Sequence, residues 1–120
     1  IAKFETARIP IKFYDYLHMT KQEMQPMPSD LEKADCIILT ATSLQNNTLV
    51  EICETSKSGA DVFVLGPSCP LSNEMFAFRN VKILFGSVFT ENLDEIEEII
   101  AKNGGTPMFG KLGRKVFVEK

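Results

Sequence analysis

Val62-Phe-Val-Leu-Gly-Pro-Ser-Cys-Pro-Leu71 is an all-apolar run that empties into a tight Gly-Pro-Ser-Cys-Pro turn, with a helical pattern beyond it. A run without polar alternation, stopped by Gly and Pro, has the signature of a buried parallel strand ending at a rim. The arrangement occurs a second time upstream. There Cys36-Ile-Ile-Leu-Thr-Ala41 runs into Thr42-Ser43 and then Asn46-Asn47-Thr48. Two strands whose carboxyl ends both carry small polar residues define one edge of a sheet, and the other elements are read outward from them.

Upstream, Ile1 to Arg8 reads as the tail of a helix ended by Pro10, and Ile11 to Leu17, rich in aromatics, reads as a strand. His18 to Pro28 reads as a Met-rich loop, after which Ser29 or Asp30 caps a short helix through Ala34. Between the two strands, Thr48 and Glu51 have capping-box spacing. Leu49, Ile52, Cys53 and Ser56 follow on one helical face, and Gly59 ends the helix. Downstream, Ser72 caps a short helix carrying Met75, Phe76 and Phe78, and Val81 to Phe85 is a strand closed by Gly86-Ser87. A helix then runs from Thr90 to Gly104, with Glu91, Asp94 and Glu95 at its positive end, Lys102 at its negative end, and Leu93, Ile96, Ile99 and Ile100 as its buried face. A glycine-rich connection leads to a last strand, Lys115 to Val118. This alternation predicts an α/β fold: a Rossmann-like or flavodoxin-like three-layer open sheet, mostly parallel, with helices on both faces.

At 120 residues the chain is one domain, residues 1–120, able to bury a core. The net charge of −3 argues against bulk attraction to a phosphate backbone. The one basic concentration, Lys111, Arg114, Lys115 and Lys120, reads as a solvated end of the chain, so no nucleic-acid partner is expected. No apolar run approaches the ~20 residues of a membrane helix, so no membrane partner is expected either. The three cysteines are not spaced as CxxC, which fits a reducing cytoplasm.

Ligands of open α/β sheets bind beyond the carboxyl ends of the strands. Here that places Thr42, Ser43, Asn46, Asn47 and Thr48 opposite Gly66, Pro67 and Ser68, a set of hydroxyls, amides and backbone N–H groups suited to an anion or a polar cofactor. The plain alternative is that these residues only cap helices and turn the chain. Neither a G-x-G-x-x-G fingerprint nor a P-loop is present. Cys69, between two prolines just before a helix start, is the one thiol placed for thiolate character and so for a soft metal ion. Cys36 and Cys53 read as packing residues. His18, with Asp15 nearby, is a candidate ligand or base, or simply an exposed loop residue.

Thr40-Ala-Thr-Ser-Leu-Gln-Asn-Asn-Thr48, Gly66-Pro-Ser-Cys-Pro-Leu71 and Asn103-Gly-Gly-Thr106 together resemble the C-terminal Rossmann-like domain of the putative heavy-metal chelation family. That prokaryotic family typically shows T-G-[ST]-[ST]-L-x-N-x-T, then G-P-S-[ST]-P, then G-G-G-T in this order. The resemblance covers Asp35 to Lys120, with Ile11 to Leu17 matching the preceding strand. Ala41 and Asn47 stand where glycines are usual, and Cys69 where Ser or Thr is common. The resemblance implies a metal ion or metal chelate as the bound species. It also implies an N-terminal domain resembling the enolase N-terminal fold, with the site in the cleft between the two domains. This chain has no room for that domain and starts after the first strand and most of the first helix of the Rossmann-like unit, as a fragment of a two-domain protein would.

Three readings follow from the sequence. The domain binds a small anionic molecule or a metal chelate. Or it is part of an enzyme completed by a missing N-terminal domain or a partner subunit. Or it is a structural or homo-oligomerising domain, its rim filled by its own Met-rich loop.

Overall fold

Residues 2–120 are described by the structure, a computed structural model, with Thr106 described in its backbone only. Four strands form one open sheet in the order in which they occur: β1 (Cys36–Thr40), β2 (Asp61–Leu65), β3 (Val81–Val88) and β4 (Arg114–Glu119). β1, β2 and β3 are parallel, and β4 returns antiparallel beside β3. The chain is thus α/β with a Rossmann-like, mostly parallel open sheet. Before β1 lie α1 (Ala2–Thr6), α2 (Lys21–Met24) and α3 (Met27–Leu31). Between β1 and β2 come α4 (Thr42–Gln45) and α5 (Leu49–Thr55), and a 3₁₀ turn at Asn73–Ala77 links β2 to β3. Finally α6 (Leu93–Ala101) and α7 (Thr106–Phe109) lead into β4.

The core lies on one face of the sheet. Ile37, Val62, Val64, Val81 and Leu84 point into it and meet Leu49, Ile52 and Cys53 from α5, with Met75 and Cys69 closing the end. Parallel strands laid down side by side in one direction, each joined by a right-handed crossover, send those connections over the same face. The register sets the opposite face. Ile38, Phe63 and Ile83 form one row across the strands, and Thr40, Leu65, Phe85 and Phe117 the next. That face is apolar but partly open, with Ile38 at 48% and Phe117 at 61% exposure.

A bulge decides which side chains of β3 are inside. Simple alternation would put Val81, Ile83 and Phe85 together. The register instead shifts between Val62 and Phe63, so that Val81 and Leu84, three positions apart, are both fully buried and Ile83 faces Phe63 on the other side. Sequence pattern alone does not reveal this.

Several expectations are corrected. Ile11 to Leu17 is not a strand: Asp15 folds the end of the run into a turn, accepting the Leu17 N–H on its carboxylate (2.9 Å) and the Met19 N–H on its carbonyl (2.9 Å). The Tyr14 hydroxyl is meanwhile bonded to Asp30 of α3. The capping box is not at Thr48, which has αR backbone and donates its hydroxyl to the Ser43 carbonyl at 3.4 Å. It is at Thr20 and Glu23, inside the segment read as loop, where both reciprocal bonds of the motif form. α3 begins at Met27, with Pro26 at its N-cap and Pro28 in its first turn, rather than at Ser29 or Asp30, and ends at Leu31. Ser72 does cap a helix, but a 3₁₀ one. On α6 only Ile96 is fully buried, while Leu93 and Ile100 are exposed.

Candidate functional site

The carboxyl ends of β1 and β2 are joined by backbone. The Ala41 N–H donates to the Leu65 carbonyl (2.7 Å), and the Gly66 N–H to the Phe85 carbonyl (3.0 Å), so the two rim turns leave the sheet in contact. Gly66 sits at φ 154°, and a Cβ there would lie 2.8 Å from the Ala41 Cβ. That contact requires glycine, because any side chain would force the turns apart.

From the first turn, Thr40 and Thr42 share a hydroxyl–hydroxyl hydrogen bond of 2.6 Å at the surface. α4 is a single turn, after which Asn47 takes the left-handed conformation (φ 56°), tolerable for asparagine. The Thr48 N–H returns to the Ser43 carbonyl (2.9 Å) and closes the loop. Asn46 on this turn and Ser68 on the neighbouring one are exposed. Among the described residues their side chains make no hydrogen bond within the protein, and Pro67 beside Ser68 is also exposed. The structure therefore brings the two predicted turns together and leaves hydrogen-bonding capacity on both.

Ser43 behaves differently. It is 6% exposed, and its hydroxyl is the buried side-chain polar atom without a partner among the described residues. It lines a cavity of about 160 Å³ with Leu44, Asn47, Leu49, Val50 and Phe78. Phe78, which the sequence places only on the short helix after Ser72, carries no signal marking it as a cavity wall, because that role depends on where the 3₁₀ turn delivers it. An unpartnered buried hydroxyl costs about 1–3 kcal/mol. Ser43→Ala is accordingly expected to leave the unliganded protein equally stable or to raise its unfolding free energy by about 1 kcal/mol. Chemical denaturation measures this, and a loss of stability would mean that the hydroxyl has a partner.

Cys69 departs from the thiolate expectation. It lies in the core at 6% exposure, with Val64 and Pro70 carbonyl oxygens each 3.8 Å from its sulfur. Burial pushes its thiol pKa up. The next helical turn is a short 3₁₀ one that starts at Asn73 behind a Ser72 cap, so Cys69 is not at its N-terminus. His18 is bound within its own turn, its Nδ1 2.7 Å from Asp15 Oδ2. That contact, and then the Leu17 N–H, hold the Asp15 carboxyl below the usual range. Among the described residues no three His, Cys, Asp or Glu side chains gather in a metal-binding group.

The rim turns 40–48 and 66–70 contain no Asp, Glu, His, Lys or Arg. They can donate and accept hydrogen bonds around a ligand, but they hold no group that exchanges a proton near neutral pH.

The sequence model of the DUF364 family, described as "Putative heavy-metal chelation", matches residues 15–119. The chain belongs to the DUF364 family. No curated protein matches it. Two solved DUF364 structures of unknown function share the fold. One, from Desulfitobacterium hafniense, has 23% identity and a TM-score of 0.67 over 81% of this chain and 38% of its own. The other, from Pyrococcus horikoshii, has 22% identity and a TM-score of 0.69 over 92% of this chain and 44% of its own. This DUF364 chain thus spans less than half the length of either relative.

Proposed function

We propose that this DUF364 domain binds a metal chelate or a comparable small anionic molecule at the joined turns 40–48 and 66–68, which form one wall of a cleft. The observation that carries the reading is the unspent hydrogen-bonding capacity of Asn46 and Ser68 on two turns locked together at Ala41 and Gly66. Thr42, Ser43, Asn47 and Thr48 shape the first turn, and Gly66 and Pro67 the second.

The family description points to a metal, and the donor set favours one form of it. A bare soft ion is held by thiolate or imidazole groups, whereas this rim offers neutral amides and hydroxyls beside a buried, protonated thiol. The residues do not fit a naked ion. They fit a complex whose metal already has its ligands and which presents oxygen atoms outward, so the metal is cargo here.

The test is a thermal-shift series with citrate and histidine chelates of nickel, copper and iron, run beside the free chelators and the metal chlorides. A chelate at about a hundred times its Kd adds about 2.7 kcal/mol of stability. Asn46→Ala with Ser68→Ala is expected to abolish that gain while moving the unliganded Tm little. Equal loss in the unliganded protein would show that both residues are turn formers. A stoichiometric soft metal that survives purification and is lost in Cys69→Ser would overturn the neutral-rim reading in favour of thiolate ligation.

A second reading draws on length. The relatives carry more than half of their chains outside the matched region, so the wall facing this rim, and any acid–base group, can come from there or from another subunit. Under that reading the chain turns over substrate only when that part is supplied. Among the described residues no helix is long and apolar enough to cross a membrane.

A further inference from the structure

Two residues of the basic end of the chain, Lys111 and Arg114, exposed to solvent, line a second cavity. It measures about 450 Å³ and lies between the segment after β3 and the turn before β4. Val88, Thr90 and Glu91 line one side, and Lys111, Leu112 and Arg114 the other. Both walls are held in place. Phe89 and Phe109 pack edge to face with centroids 5.3 Å apart, and the Leu112 N–H closes a turn onto the Phe109 carbonyl at 2.8 Å. Gly113 lies so close to the Phe89 ring that a Cβ would come within 2.4 Å of it. Arg114 is paired in register with Val88 at the first position of β4.

The position is informative. β3 is parallel to β1 and β2, so its carboxyl end lies on the same rim as Thr40 and Leu65, and antiparallel β4 enters the sheet there. The cavity is therefore at the far end of the rim, two to three strands from β1, or about 10–14 Å at the ~4.8 Å spacing of strands. Its charge is unbalanced. Among the described residues the ion pairs are His18–Asp15, Lys57–Asp35 and Lys102–Glu98, which leaves Lys111 and Arg114 unpaired beside the one carboxylate of Glu91.

We propose that this cavity is an oxyanion site, taking a phosphate or carboxylate group of a small molecule. The Arg114 guanidinium offers a planar pair of N–H donors, Lys111 a mobile point charge, and the Thr90 hydroxyl a neutral donor. Glu91 opposes the anion and weakens its binding. Two cations in an open cavity of an acidic chain do not make the extended basic stripe of a nucleic-acid surface. The site uses none of the residues of turns 40–48 and 66–68, so it stands or falls apart from the chelate reading.

Amide NMR titrations with sodium phosphate and with sodium citrate, at a constant ionic strength of about 0.15 M, test it. Saturable shifts at Thr90, Gly113 and Arg114 are expected, and the anion that saturates identifies the group. Lys111→Ala with Arg114→Ala is expected to weaken binding at least about tenfold, and Glu91→Gln to tighten it about threefold through loss of one repulsion. The Glu91→Gln arm reads the site even if the double variant folds poorly. Shifts that grow linearly without saturating, or an affinity that Glu91→Gln leaves unchanged or lowers, would overturn the proposal. Tighter binding of a single-stranded oligonucleotide than of either anion at the same amides would overturn it too.

Discussion

Leu84→Ala is expected to lower the unfolding free energy by about 3 kcal/mol, within the range for truncating a buried leucine in a packed core. Leu84 has no exposed surface, sits on β3 between β2 and β4, and belongs to the cluster that α5 covers. Its neighbours are strand residues fixed by the ladder, so the void cannot readily collapse. The same truncation one position earlier, Ile83→Ala, is expected to cost only about 1 kcal/mol, because that side chain lies on the partly open face. Urea denaturation of the two variants measures the difference. The comparison also tests the bulge: were β3 a simple alternating strand, Ile83 and not Leu84 would be the costly position. A larger loss at Ile83 would refute the register described above.

Elements held by local chemistry were legible in the sequence, and those set by distant contacts were not. β2 occupies Asp61–Leu65 as expected, because a short apolar run bounded by Gly59 and Gly66 has few alternatives. The stripe of Leu49, Ile52, Cys53 and Ser56 is buried as its spacing predicts. The Thr-x-x-Glu spacing, by contrast, occurs at both Thr20 and Thr48, and only Thr20 forms the capping box. The two motifs are equivalent as sequence; Thr48 is excluded because the 43–48 loop has already turned its backbone to αR. Ile11 to Leu17 has the composition of a strand, but its end is spent in an Asp15 turn. The continuous apolar strands implied cover on both faces, and within these residues one face is packed while Ile38 and Phe117 remain about half exposed.

The candidate rim was legible for a similar reason. Parallel strands dictate where the turns lie, and the small polar residues in those turns are visible by inspection. What the sequence could not supply was the difference between its members. Ser43 is buried and unpartnered, Asn46 and Ser68 are exposed, and Cys69 is a core residue with a raised pKa. That sorting follows from the Ala41–Gly66 contact, which depends on the pairing of β1 with β2. The second cavity is not legible in the sequence, for the opposite reason. Its residues are contributed by two segments about twenty positions apart, joined by the pairing of Val88 with Arg114 and by the contacts of Phe89 with Phe109 and Gly113.

Gly66→Ala is expected to cost about 3 kcal/mol, part from a side chain at a left-sided φ and part from overpacking against Ala41. Ala41→Gly alone is expected to cost about 1 kcal/mol, since it removes one buried methyl and frees a backbone position. The double variant separates the two sources of strain at Gly66. If the Cβ–Cβ contact of 2.8 Å is the main one, removing the Ala41 methyl relieves it. The double variant then costs about 1–2 kcal/mol less than the sum of the singles. If the backbone conformation dominates, the two changes simply add. Urea unfolding of all four proteins gives the coupling energy. The chelate thermal shift, run on the same set, should vanish in Gly66→Ala and return in part in the double variant, because the rim depends on how closely the two turns approach. Should Gly66→Ala cost less than about 0.5 kcal/mol, the turns would not be in the contact described, and the wall that Asn46 and Ser68 are proposed to form would lose its basis.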